Sequence, residues 1–241
     1  MSLFTFIASP ARCAFLSDTD MVTATVAGRH ASGSLSKLWT FPHLSGVIGG
    51  RGVVSTYQAL WHKLYAAGYG DWCEVLPHIA AALEEAHEET AGEREAAGLT
   101  GDAADVNLVA FGYSRERGEC LCAAYQTGGA WGEVFKSGVI AAPVFGIDMA
   151  AEREKVTAPD GDNLLRIAKR QHRNVSPEDR ANYAIGGNVT YVELDAAGLR
   201  VAVHPPLEEL DHIPPAGGAP FGNRAMRRKA AALARRRRVG V

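Results

Sequence analysis

The sequence predicts an α+β fold: a four-layer αββα sandwich of two stacked antiparallel sheets with helices outside each, followed by a C-terminal extension. Strand-like and helix-like segments come in long blocks, without the regular alternation of strand and helix that a parallel sheet requires. The 241 residues have room for one such domain. With 47% hydrophobic and 22% charged residues, the composition is that of a globular protein with a sizeable core, which excludes wholesale disorder, collagen and coiled coils.

The opening of the chain is rich in predicted strands. Residues 2–9 and 12–17 are β-type runs separated by a turn at Pro10, and residues 22–27 form a third. A further apolar strand over 44–48 leads into a cluster of glycines.

Two helices are predicted next, beginning near Gly52 and Asp71. The first keeps apolar residues at helical spacing and meets a stop signal at Gly68. The second begins with a capping-box pattern, because Glu74 follows Asp71 by three residues.

The rest of the domain is predicted to return to strands, with helices between them, and a cap with proline at the first helical position marks one helix start at Ser176-Pro177. The predicted elements are a hairpin over 106–113 and 119–126, short strands over 131–135 and 139–142, a helix over 163–172, and a closing hairpin over 188–194 and 199–204.

Cysteine usage and hydropathy exclude two classes of protein. Four scattered cysteines are too few for a disulfide scaffold in a chain of this length, so a reducing interior is expected. No apolar run reaches the roughly 18 residues of a membrane span. No metal site is expected, because Cys120 and Cys122 form a pair without a second pair of ligands. No organic cofactor is expected either, since the glycine-rich stretch GVIGGRG matches neither a dinucleotide-binding nor a P-loop motif.

Charge divides the chain into an acidic body and a basic end. Eight of the 25 basic residues and no acid follow Gly222, which leaves 17 bases against 27 acids, a net charge of −10, in residues 1–222. The predicted organisation is a domain over 1–204, a linker rich in proline and glycine over 205–222 and a basic tail over 223–241. A basic tail of this kind is expected either to bind an acidic protein surface or nucleic acid, or to be only a solvated end.

Four positions of the chain form a pattern with a chemical meaning. Ser2 would become the first residue after methionine removal, and Asp18 follows it by sixteen residues. Lys37 precedes a strand that ends in the pair Gly49-Gly50, and a helix comes next. This pattern resembles the N-terminal nucleophile hydrolases, specifically proteasome β-subunits and their bacterial relatives. With its arginine-rich end, the chain also looks like a divergent phage or prophage-type member.

The resemblance implies a catalytic role for each of these residues. Ser2 would be the nucleophile, with its own α-amine as the base, since a serine hydroxyl needs a base at neutral pH. Lys37 would favour the neutral amine, and Asp18 would hold Lys37 charged and oriented. The N–H of Gly49 would serve as an oxyanion donor, because a residue without Cβ lets a substrate carbonyl approach.

Two functions follow from this resemblance, and a third from the tail. The first is a proteasome-subunit-like hydrolase of amide or peptide bonds. The second is a catalytically silent virion or assembly protein that keeps the fold for oligomerisation, and the third is a nucleic-acid accessory protein. In the first two cases a homo-oligomer or larger assembly is expected, located in the cytoplasm or in a phage particle.

Overall fold

A computed structural model of the chain describes residues 3–25, 28–34, 37–99, 105–127, 131–144, 146–176 and 185–213. The basic tail and Ser2 lie outside these residues. The strands are β1 Phe4–Ala8, β2 Arg12–Asp18, β3 Asp20–Thr25, β4 Gly28–Ser34, β5 Leu38–Phe41, β6 Gly46–Arg51, β7 Asn107–Ser114, β8 Glu119–Gln126, β9 Trp131–Phe135, β10 Gly138–Ala142, β11 Val189–Asp195 and β12 Gly198–His204. The helices are α1 Val54–Ala66, α2 Trp72–Glu89, α3 Ala91–Ala96, α4 Met149–Lys155 and α5 Gly161–Asn174.

Ten of the strands form two five-stranded antiparallel sheets. The first sheet has the order β10-β1-β2-β11-β12, and the second has the order β5-β6-β7-β8-β9. Strands β3 and β4 form a separate hairpin. The predicted α+β class with two antiparallel sheets is therefore confirmed.

The inner faces of the two sheets share an apolar core built around phenylalanine rings. Phe6 and Phe15 of the first sheet lie against Phe111 of the second, with ring centroids 4.9 and 6.0 Å away. Cys13 and Cys122 meet across the same core with their Sγ atoms 3.2 Å apart, and both thiols are free. All five side chains are fully buried, so this core joins the sheets over their facing surfaces.

Helices α1 and α2 cover the outer face of the second sheet. The predicted capping box of α2 is present, since Asp71 accepts from the N–H of Cys73 while Glu74 accepts from the N–H of Asp71. Trp72, the first residue of α2, is fully buried in a slot opened by the paired glycines Gly46 and Gly112.

Helix α5 lies on the outer face of the first sheet, where Leu164 and Ile167 are fully buried. Helix α4 is tied to it by the buried carboxylate of Glu152, which accepts from Arg166 and Arg170. The start of the predicted linker also packs here, because Leu207, Leu210 and Ile213 belong to the same cluster. No helix in the described ranges is long and apolar enough to cross a membrane.

Candidate active site

Asp18 is the last residue of β2 and one of the most buried charged residues described, with 1% of its surface exposed. Its Oδ1 accepts from the Lys37 ammonium at 2.5 Å and from the N–H of Leu3 at 3.2 Å. Its Oδ2 accepts from the N–H of Gly186 at 3.1 Å. Asp18 therefore joins three distant parts of the chain: its start, the residue before β5 and the segment before β11.

Lys37 is buried beside this carboxylate, with 7% of its surface exposed. It lies in the short connection before β5, and the edge position of β5 lets its side chain reach the end of β2. Two of the predicted site residues, Asp18 and Lys37, are thus in direct contact.

Burial controls the ionisation of this pair. Loss of solvent raises the pKa of Asp18 to about 6, and the charge of Lys37 and two backbone N–H groups only partly oppose this rise. Burial also lowers the pKa of Lys37, against the attraction of Asp18 and Asp20. The site therefore holds a lysine that gives up its proton more readily than an exposed one.

Gly49 lies inside β6, opposite Leu38 of β5 and Val109 of β7. Successive residues of an antiparallel strand direct their N–H groups to opposite neighbours, so one bond fixes the direction of all the others. Tyr113 donates to the carbonyl of Ser45 at 3.0 Å, in continuation of the β6–β7 register.

From that bond, the alternation directs the N–H of Gly49 towards Val109. The N–H of Gly50 then points to the β5 side, at the level of Lys37. A Cβ at Gly49 would lie 2.8 Å from both Phe15 and Leu38, so this position has no space for a side chain.

Ser2 lies outside the described residues, and Leu3 is the first residue described. Leu3 is fully buried and bonded to Asp18 through its N–H, while its carbonyl accepts from the N–H of Asp18 at 3.2 Å.

Sequence reasoning missed the segment before β11. The pair Gly186-Gly187 marks a turn in the sequence, but nothing there shows that it meets Asp18 and Asp20. Asp20 donates its N–H to the carbonyl of Gly186 at 3.2 Å, and a Cβ on Gly187 would lie 2.1 Å from Asp20 Oδ1. Gly187 also has a φ of +71°, a conformation that favours glycine.

Among the residues that the structure describes, no group of three or more histidine, cysteine, aspartate or glutamate side chains is placed to hold a metal ion. The arrangement at Asp18 offers one carboxylate, one ammonium and backbone donors. Such groups can bind and polarise a carbonyl or shift the pKa of a neighbouring amine.

Comparison with known proteins finds similarity in structure only. No protein family model and no curated protein matches the chain. Among solved structures, Anbu (ancestral beta-subunit) from Yersinia bercovieri has a TM-score of 0.53 at 13% identity, over 99% of this chain and 97% of that one. An Anbu mutant from Hyphomicrobium sp. strain MC1 has a TM-score of 0.51 at 10% identity, over 100% of this chain and 98% of that one.

These findings correct the identification made from the sequence. The chain was expected to be a divergent phage or prophage-type member of the N-terminal nucleophile hydrolases, but no family model matches it and its structural neighbours are Anbu proteins at 10–13% identity. At such low identity the likeness concerns the fold alone, which is proteasome-like.

Proposed function

We propose that the protein is a hydrolase of amide or peptide bonds whose nucleophile is Ser2, exposed by removal of Met1. The observation that supports this most is the position of Leu3. Its N–H bonds to the same Asp18 oxygen that binds Lys37, so the residue next to Ser2 is held beside a buried lysine.

The proposal includes the four-layer arrangement expected for such hydrolases. Three apolar clusters support it: one between the sheets, one under α1 and α2, and one under α5. We also propose a homo-oligomer, and the division into a domain over 1–204, a linker over 205–222 and a partner-binding basic tail over 223–241.

The proposed chemistry needs no group beyond those of the chain. The α-amine of Ser2 takes the proton of the hydroxyl as its oxygen attacks the amide carbon. The C–N bond then breaks, the proton passes to the leaving amine, and the acyl group remains as an ester on Ser2. Water hydrolyses the ester and restores the hydroxyl. Lys37 favours the neutral amine, and Asp18 orients Lys37.

The oxyanion donor in this scheme is a backbone N–H of the pair Gly49-Gly50. The role of Gly49 stays a prediction, and its N–H would have to leave Val109 to fulfil it. The N–H of Gly50 is directed to the Lys37 side of the sheet and is the better placed of the two. Neither glycine has open space on its Cβ side, because a Cβ would lie 2.8 Å from Phe15 at Gly49 and 2.4 Å from the hydroxyl of Tyr57 at Gly50, so their lack of a side chain serves packing.

A second candidate is a catalytically silent assembly subunit with the same fold. The direction of the Gly49 N–H favours it, because a donor bonded within the sheet does not stabilise an oxyanion. In that case the Asp18–Lys37 pair would only anchor the start of the chain.

Intact-mass spectrometry of the native protein, followed by assays on a panel of fluorogenic peptide amides, tests the proposal. We expect the mass to lack Met1, and Ser2→Ala to abolish hydrolysis while leaving the unfolding midpoint unchanged. Ser9→Ala, in the turn between β1 and β2, is the matched control and should keep full activity. Retention of Met1, or equal activity of the two variants, would exclude the mechanism.

A further inference from the structure

Strand β12 forms an outer edge of the first sheet and exposes apolar side chains there. Val201 and Val203 are 49% and 63% exposed. Val201 lies opposite Val192, which is fully buried between the sheets, and the neighbouring Leu199 packs partly against the same core. The exposed valines therefore continue the inner apolar face of the sheet beyond the region that the second sheet covers.

On its open side, the backbone of β12 also has N–H and C=O groups without a hydrogen-bond partner among the described residues. Ser9 and Arg12 exchange backbone bonds of 2.8 and 3.3 Å at the β1–β2 turn, which fixes the alternation through β2 and β11 to β12. By this alternation, Leu199, Val201 and Val203 direct their N–H and C=O groups away from β11. No described residue bonds to these groups.

Two other sheet edges are protected by helix side chains. On β5, Trp61 donates its indole N–H to the carbonyl of Thr40 at 3.1 Å. On β10, Arg153 donates to the carbonyl of Val139 at 3.5 Å. Such cover prevents an edge from pairing with another chain, and β12 has no counterpart of it among the described residues.

The charges of β12 permit pairing between two copies. Its one charged side chain, Arg200, lies on the opposite face and is neutralised by Asp195 at 2.5 Å and Glu193 at 3.6 Å. A charged side chain is one device that keeps a natural edge strand from pairing with a second strand, and on β12 the charge of Arg200 is compensated within the sheet.

We propose that β12 pairs antiparallel with β12 of a second copy of this chain, with Val201 on the two-fold axis. This register places Val201 opposite Val201 of the partner subunit. Leu199 then lies opposite Val203 of the partner subunit, so every outward pair is apolar. Arg200 lies opposite Ala202 of the partner subunit, and no like charges face each other. The two first sheets become one ten-stranded sheet, an isologous interface that closes on itself.

Sedimentation velocity over a range of concentrations tests this inference. The native chain should reach twice its 25.7 kDa mass. Val201→Lys should weaken dimerisation by at least about tenfold, because two lysines would face each other across the axis. Val201→Pro should also weaken it, since proline removes an outward N–H and leaves the bonds to β11 intact.

Val134→Lys is the matched control, because Val134 is 61% exposed on the edge strand β9 of the other sheet. It should leave the dimer unchanged, and circular dichroism should show all variants folded. A native chain that stays monomeric overturns the proposal, as does a dimer that survives both Val201 variants. A truncated chain that ends at Ile213 provides a further test. If it dimerises and the full chain does not, the edge of β12 is covered by the chain's own C-terminal segment and the proposal is wrong.

Discussion

The buried Asp18–Lys37 pair should matter for stability, because removing either partner leaves the other charge buried without its counterion. Each charge has lost nearly all of its water, and each is compensated mainly by the other. Removal of one partner from such a pair usually costs about 3–5 kcal/mol, because the other charge stays buried and unpaired. An exposed pair of the same kind contributes about 0–1 kcal/mol.

A double-mutant cycle should therefore show strong coupling at this site. We expect Asp18→Asn and Lys37→Met each to lower the free energy of unfolding by about 3–5 kcal/mol. The double variant should cost clearly less than the sum of the two, since it leaves no unpaired charge. Urea denaturation at pH 7 measures all three.

The exposed pair of Lys63 and Glu89, 2.6 Å apart, is the matched control for this cycle. The combination of Lys63→Met and Glu89→Gln should show a much smaller coupling, because solvent screens an exposed pair. Coupling of similar size in the two cycles would contradict the role given to burial.

The stability that Asp18 contributes is expected to depend on pH. Since the pKa of Asp18 rises from 3.8 to about 6 on folding, the folded state binds more protons than the unfolded state between these values. The contribution of Asp18 to stability therefore falls as pH rises from about 4 to about 6. Asp18→Asn should lack this component.

The sequence could indicate the pair but not its surroundings. Asp18 and Lys37 were singled out through a resemblance, and the structure brings them together. Gly186 could not be found in this way, because 168 residues separate it from the carboxylate it contacts. Its contact depends on the pairing of β2 with β11, and no local pattern encodes which strands become neighbours.

At the scale of elements, local signals predicted most strands and the larger helices. The capping box at Asp71 and the strand, turn and strand pattern over 106–126 each depend on residues close together in the chain, so local sequence patterns contain them. Helix α4 was missed because it has only seven residues and is held to α5 by Glu152. Strand β5 was missed because it is short and only one of its four residues is buried.

Helix α2 is joined to the second sheet by Trp72, which packs in the slot at Gly46 and Gly112. A single methyl group in that slot should disrupt this packing. A Cβ at Gly112 would lie 2.2 Å from the indole ring, closer than atoms can approach. Because the ring is enclosed at the start of α2, we expect Gly112→Ala to lower the free energy of unfolding by about 1–3 kcal/mol. The urea midpoint and near-ultraviolet circular dichroism of the tryptophans measure this.

Gly92→Ala provides the comparison for that variant. Gly92 lies in α3, and a Cβ there would meet no atom within 4 Å. Alanine also favours the helix over glycine, so this variant should be at least as stable as the native chain. Equal midpoints for the two variants would show that the slot is not tightly packed.

At the scale of the whole molecule, the shared phenylalanine core should make the two sheets unfold together. Trp39, Trp61 and Trp72 belong to the second sheet or its helices, and so does Trp131. Tryptophan fluorescence therefore reports on that half of the molecule. Phe15 belongs to the first sheet and reaches the second only through the core, where it stacks near Phe111.

Phe15→Ala, although it lies in the first sheet, should therefore also destabilise the second sheet. Truncation of a buried phenylalanine typically costs about 3–5 kcal/mol. We expect the midpoint measured by tryptophan fluorescence to fall as far as the midpoint measured by far-ultraviolet circular dichroism, since one cooperative unit has one transition. Val144→Ala, at a position 43% exposed, should move neither midpoint. A fluorescence midpoint that stays in place while the circular dichroism midpoint falls would show that the sheets unfold independently, because the core would then fail to couple them.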